Sequence, residues 1–217
     1  MEKERKTTAR ELVYTTIKKR ILSGEYEPGC VLNEVNLSND LKVSRTPTRE
    51  ALRNLEHDML VTIYPKHGTV VNPLNLDVVH DVFQTRSLLE PFIIQTYGAL
   101  IDRDRMVAAL KAQLEIQCNS STPYFHYKAD EDLHQIIIQA NPNRYITETL
   151  QTVYDQNQRF RILTGTKSKE RLIRSCEEHL DILNTLLCGN FETAAQKMKE
   201  HLTASWQATI QVIASQS

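Results

Sequence analysis

The chain has 217 residues, 41% of them hydrophobic and 24% charged, a balance ordinary for a globular protein of one large or two modest domains. Its formal net charge of −1 excludes a uniformly basic nucleic-acid binder. No apolar run approaches the roughly 20 residues that span a bilayer, and the charged start MEKERKTTARE has no apolar core behind it, so neither a membrane anchor nor a secretory signal is expected. The four cysteines, Cys30, Cys118, Cys176 and Cys188, form no CxxC pair, and we expect reduced, buried thiols in a cytoplasmic protein.

The first predicted element is a helix from Thr8 to Leu22, with Leu12, Val13, Ile17 and Ile21 at helical intervals. Thr8 and Glu11 make a capping-box pattern, and Gly24 is placed as a stop. A turn over Glu25–Gly29 follows. Asn33 can cap a short second helix through Leu41, and Ser44 a third through about Met59. Pro47 falls in the first turn of that third helix, where its missing N–H costs no intrahelical bond. Ala51, Leu52 and Leu55 give this helix an inward face and leave Arg45, Thr46, Thr48, Arg49 and Arg53 outward. Val61–Tyr64 and Thr69–Asn72 read as strands around Pro65-Lys66-His67-Gly68. That order is a winged helix-turn-helix of three helices and a two-stranded wing, occupying residues 1–74.

From residue 75 to 217 the pattern is all helical. Helices are expected near 76–100, 103–118, 123–140, 143–164, 168–188 and 191–214, separated by Asp102, Asn119–Pro123, Asn141-Pro142-Asn143, Gly165 and Gly189-Asn190. Pro91 inside the first of these leaves the Ser87 carbonyl without its donor and predicts a kink beside a cavity. The fold class is therefore mainly α, a winged helix-turn-helix followed by an all-α bundle.

Charge divides weakly between the two parts. Residues 1–74 hold 12 Lys and Arg against 10 Asp and Glu, the remainder 14 against 17. DNA affinity must then rest on a few placed cations. Ser44, Arg45, Thr46, Thr48 and Arg49 open the third helix, the end that enters the major groove in helix-turn-helix proteins, where Arg reads guanine and short polar side chains read other bases. Two arginines in one turn also suit a solvated helix face. Beyond spacing, Gly24-Glu25-Tyr26-x-Pro28-Gly29, Leu32-x-Glu34 and Val43-Ser44-Arg45-Thr46-Pro47-x-Arg49-Glu50-Ala51-Leu52-x-x-Leu55, followed by Gly68, resemble the GntR family of bacterial transcription regulators over about 65 residues. The resemblance implies that Arg45, Thr46 and Arg49 contact double-stranded operator DNA, with Gly68 at the wing tip. Val35 stands where some members carry a DNA-touching arginine.

In the second part Asp130 and His134 are spaced i, i+4 and share a helix face. His179 and His201 lie on the two arms of a predicted hairpin turning at Gly189-Asn190, each about ten residues from the turn, so their rings can sit level. Together these side chains are candidates to hold Zn²⁺, Ni²⁺ or Mn²⁺ with open positions; separately, an Asp-x₃-His on a helix is more often a surface pair than a metal site, and two distant histidines add little without a fold. The arrangement Arg86-x-x-x-Glu90-Pro91, Asp130-x-x-Leu133-His134, Glu178-His179 and His201, behind a GntR-type module, is similar to the FadR-type subgroup with its FCD effector domain. That resemblance implies a divalent transition metal held by Asp130, His134, His179 and His201, and a small organic acid whose carboxylate pairs with Arg86. The alternative for Arg86 is an ion pair with Glu90, one turn away.

The resulting expectation is a homodimeric regulator on a palindromic operator, its affinity modulated by a small carboxylate. A metal-sensing repressor, in which the ion itself is the signal, is a second reading. A metal-dependent hydrolase is a third, weakened by the lack of an evident general base.

Overall fold

The computed structural model describes residues 7–119, 123–165 and 169–215. The chain divides into two compact units, Met1–Leu74 and Asn75–Ser217. The expected loop residues 120–122 and the start of the helix at 168 lie outside the described residues.

In the first unit α1 (Ala9–Leu22) begins at Thr8, whose hydroxyl accepts from the Glu11 N–H while the Glu11 carboxylate accepts from the Thr8 N–H. Val13, Ile17 and Ile21 are buried, each contributing about 1.5–3 kcal/mol. Leu12, expected on the same face, is exposed. Asn33 caps α2 (Glu34–Asp40) by accepting from the Val35 and Asn36 N–H groups. Ser44 precedes α3 (Arg45–His57) in extended conformation, but its side chain makes no capping bond. Leu37, Ala51, Leu52 and Leu55 close the core over α1.

The wing differs from the expected pair of strands. A short β1 (Val31–Leu32) joins β2 (Val61–Tyr64) and β3 (Gly68–Val71) in an antiparallel sheet of order β1-β3-β2, with Val31 opposite Val70 and Tyr64 opposite Gly68. A strand of two residues has too little alternation to be seen in sequence. Gly68 opens β3 rather than sitting at the tip, which is formed by Pro65–His67. Its φ of +101° and the 3.3 Å from an added Cβ to Val31 Cγ1 explain the glycine.

The second unit contains α4 (Leu76–Tyr97), a 3₁₀ turn (Gly98–Leu100), α5 (Arg103–Asn119), α6 (Pro123–Gln139), α7 (Arg144–Gly165), α8 (Lys169–Leu187) and α9 (Phe191–Ala214). Helix α4 continues through Pro91. It packs along α9 and α7, while α8 packs on α9 and α5. Ile93, Ile94, Leu133, Ile137, Leu183 and Leu202 lie in the shared core. At Gly98 the backbone runs against the Phe191 ring so closely that an added Cβ would fall inside its van der Waals surface. Of the cysteines, Cys176 is buried, Cys30 half-buried and Cys188 exposed, correcting the expectation of uniform burial; the Cys118 side chain lies outside the described ones. No helix among the described residues is long and apolar enough to cross a membrane.

Candidate metal centre and DNA-reading face

Asp130 and His134 lie one turn apart on α6, His179 on α8 and His201 on α9. The tight turn at Gly189, with φ of +75°, returns α9 antiparallel against α8 and brings the His179 and His201 rings to 4.5 Å between centroids. One ligand atom from each of the four residues lies within 4.8 Å of every other. Nε2 of His179 is 3.3 Å from Nε2 of His201 and 3.5 Å from Oδ1 of Asp130, and Nε2 of His134 is 3.8 Å from Oδ2 of Asp130. Donors about 2.0–2.2 Å from one divalent ion stand about 3–3.5 Å apart when adjacent, so the set is close to a ligating geometry.

Each imidazole is oriented through its other nitrogen. Nδ1 of His134 meets Oε2 of Glu90 at 2.6 Å, Nδ1 of His201 meets Oε2 of Glu178 at 2.7 Å, and Nδ1 of His179 meets the Gln113 carboxamide at 3.1 Å. The two carboxylates hold the proton of His134 and His201 on Nδ1 and leave their Nε2 lone pairs for a metal, whereas the Gln113 amide nitrogen donates to Nδ1 of His179 and fixes that ring without protonating it there. Burial lowers the pKa of His179 and His201, with His201 adding to the effect on His179, which favours the neutral ligating form. Burial opposes the charge of Asp130, but Arg161 and then the histidines outweigh it and hold the carboxyl below its ordinary range. Burial likewise opposes ionisation of Glu90, which Arg86 and His134 nevertheless bring down to about 2. Oδ2 of Asp130 is buried with no hydrogen-bond partner. A carboxylate with an oxygen that makes no hydrogen bond, gathered with three imidazoles within 4.8 Å, is the donor chemistry a divalent ion satisfies, so the residues fit the implied metal.

Arg86 is buried and forms the ion pair with Glu90 at 2.7 Å. Its Nη1 donates to Asn157 and its Nη2 to the Tyr154 hydroxyl, each at 2.9 Å, and Nη2 also stands 3.2 Å from Nε2 of His134. Arg86 lines a cavity of about 150 Å³ together with Gln113, Asp130, Arg161, His179 and His201. The orienting roles of Gln113 and Glu90, and the approach of Arg161 to Asp130 at 3.0 Å, were not read from sequence. Glu90 and Glu178 stood within the quoted motifs, but Gln113 and Arg161 have no local signal.

On the first unit Ser44, Arg45, Thr46, Arg49 and Gly68 are exposed. Thr48 is not: it is fully buried, accepting from the Ser38 hydroxyl at 2.9 Å and donating to the Ser44 carbonyl at 3.1 Å. Its expected place on the outward face is corrected, because positions 48, 52 and 55 follow one inward stripe of α3. Thr48 ties α2 to α3 through these two bonds. Arg49 makes a two-pronged contact with Glu34, from Nε at 3.1 Å and Nη2 at 3.0 Å.

Comparison with known proteins accords with both halves. Residues 9–71 match the bacterial regulatory proteins of the gntR family, and residues 81–204 match the FCD domain. The chain belongs to the gntR family and carries an FCD domain. One relative, the uncharacterized HTH-type transcriptional regulator YdhC of Bacillus subtilis (strain 168), is 28% identical over 193 residues, covering 87% of this chain and 85% of its own. A GntR transcriptional regulator structure from Rhodococcus sp. RHA1 has the same fold, with a TM-score of 0.78 at 22% identity over 93% of this chain and 97% of that one. The Zn²⁺-bound FCD domain of TM0439 is similar at a TM-score of 0.52 and 21% identity, covering 66% of this chain and 96% of that domain. This GntR/FCD protein is thus a transcriptional regulator and not an enzyme, and the hydrolase reading is set aside.

Proposed function

We propose that this regulator acts in the cytoplasm as a homodimer on a palindromic operator, with affinity for DNA set by a small organic acid held beside a divalent transition metal. Asp130, His134, His179 and His201 would hold the ion, which would be Zn²⁺, Ni²⁺ or Mn²⁺ from the imidazole-rich donor set. Bound there, the ion would supply a Lewis-acidic anchor for a carboxylate oxygen. Arg86 supplies positive charge to the same cavity while keeping His134 and Glu90 in register. On the DNA side Arg45, Thr46 and Arg49, flanked by Ser44 and with Gly68 beside the wing turn, would meet the operator, two copies reading two half-sites.

The observation that supports the sensing half best is the convergence of the four ligand atoms within 4.8 Å, each imidazole backed by its own Nδ1 partner. The test is elemental analysis and operator binding of the His179→Ala/His201→Ala variant. Loss of bound metal with a blunted response to organic acids is expected, and an unchanged metal content would disprove the ligand set. Arg49→Ala should lower operator affinity by at least about tenfold and leave metal content untouched; retention of tight, specific binding would sink the DNA assignment. If operator affinity follows metal concentration alone, with no effect of acids at saturating metal, the metal-sensor reading replaces the acid-responsive one.

A further inference from the structure

The three imidazoles of the candidate centre are alike in burial but not in where they keep their proton. A neutral imidazole donates from one ring nitrogen and accepts at the other, so its neighbours reveal which nitrogen is protonated. Nδ1 of His134 faces the Glu90 carboxylate and its Nε2 faces the Arg86 guanidinium at 3.2 Å, an acceptor on one side and a donor on the other. Nδ1 of His201 faces the Glu178 carboxylate. Both rings therefore carry the proton on Nδ1 and keep Nε2 bare. His179 is the reverse. Its Nδ1 receives the Gln113 amide N–H at 3.1 Å. Its Nε2 is ringed by groups that can accept: Nε2 of His201 at 3.3 Å, the Ser175 hydroxyl at 3.4 Å and Oδ1 of Asp130 at 3.5 Å. Because Nε2 of His201 is bare, the contact between the two rings is a hydrogen bond only if His179 supplies the proton. Amide direction and ring contacts thus agree on an Nε2–H tautomer for His179.

We propose that Gln113 is a positioning residue that switches His179 between a resting, hydrogen-bonded tautomer and a metal-ligating one. This rests on the metal reading above and deepens it. To ligate, His179 gives up its Nε2 proton to solvent and takes one back on Nδ1, so no net proton is released and the ring stays neutral. The new Nδ1–H would meet the amide NH₂ of Gln113 head-on. A half-turn about the last side-chain bond of Gln113 presents Oε1 as the acceptor instead. That turn disturbs little else. Gln113 is buried on α5, its side chain makes one hydrogen bond among the described residues, the one to His179, and its backbone carbonyl is held separately by the Cys176 thiol at 3.3 Å.

The choice of side chain follows from the two states. A carboxamide owns both a donor and an acceptor and can serve either tautomer, whereas the carboxylates behind His134 and His201 can serve only one. The centre then consists of two imidazoles set in advance for an ion and a third that stays hydrogen-bonded until an ion competes for it.

The test is ¹H–¹⁵N NMR of the ring nitrogens in the full chain carrying ¹⁵N-labelled histidine, stripped with a chelator and then titrated with Zn²⁺. Single His134→Gln, His179→Gln and His201→Gln variants assign the three rings. Stripped wild type should show the Nε2–H pattern for His179 and the Nδ1–H pattern for His134 and His201, and Zn²⁺ should convert His179 to Nδ1–H. Gln113→Glu, whose carboxylate can only accept, should hold His179 as Nδ1–H before zinc is added. It should bind Zn²⁺ about tenfold more tightly than wild type in competition with a fluorescent chelator. Gln113→Leu, which can neither donate nor accept, should bind it about tenfold less tightly. A residue that merely fills space would weaken zinc binding in both variants. Finding His179 already Nδ1–H in stripped wild type overturns the proposal and leaves the metal centre standing, as does zinc affinity in Gln113→Glu at or below that of wild type. Zinc uptake with His179 still Nε2–H overturns it and removes His179 from the ligand set. Absence of zinc uptake by wild type overturns both this proposal and the metal reading.

Discussion

Each unit holds an arginine–glutamate pair of similar geometry in opposite surroundings. Arg49 and Glu34 meet at 3.0 Å with side chains 61% and 27% exposed; Arg86 and Glu90 meet at 2.7 Å with side chains 3% and 0% exposed. Water competes for the first pair at little cost, so Arg49 can exchange Glu34 for a base edge or phosphate. The second pair has no such exchange. Removing either partner strands a charge in a medium that cannot solvate it. The exposed pair suits recognition and the buried one suits architecture, although the residue types are the same.

The sharpest way to break this contrast is Glu90→Ala, which leaves Arg86 buried and loosens His134. A loss of about 3–5 kcal/mol is expected by urea denaturation of the full chain, with the Arg86→Met/Glu90→Leu double variant recovering most of it. A loss below about 1 kcal/mol would show the buried pair behaving like a surface one. Thr48→Val comes next. It removes the hydroxyl that joins Ser38 to the Ser44 carbonyl and should cost about 1–2 kcal/mol in the stability of the first unit, followed by thermal unfolding. Thr46→Val, at an exposed position, should leave stability alone and reduce operator binding; if the two threonines exchange these effects, the assignment of the α3 faces is wrong. The smallest effect is expected from Glu34→Gln. Thermal stability should not move, and operator affinity, measured by fluorescence anisotropy, should rise by about threefold as Arg49 is freed from its neighbour. A fall in affinity would mean that Glu34 positions Arg49 rather than competing for it.

Much of the architecture could be read locally. Helical spacing and turn residues placed α4 to α9 within a few residues, and Gly189-Asn190 foretold the hairpin that sets His179 level with His201. Where the reading failed, the cause was tertiary or a matter of scale. Thr48 was grouped with the polar first turn of α3, although its spacing from Leu52 and Leu55 already put it inside. Strand β1 is stabilised almost wholly by its pairing with β3, a partner nearly forty residues away, so its two residues carry no signal of their own. The same holds for the orienting groups of the site: Glu90 lies 44 residues from His134, and Gln113 lies 66 from His179. Ligand residues advertise themselves by type and interval; the residues that aim them do not.

The continuity of α4 through Pro91 has a mechanical side. The helix that carries Glu90 begins at Leu76, directly after the first unit ends at Leu74. At about 1.5 Å per residue, about 21 Å of helix separates Glu90 from its first turn. A helix segment of that length would act as a lever: a tilt of about 3° at Glu90 would carry the start of α4 sideways by about 1 Å, comparable with known helix shifts in switching proteins. Were Glu90 to tilt with His134, the displacement at Leu76 would exceed the one at the imidazole.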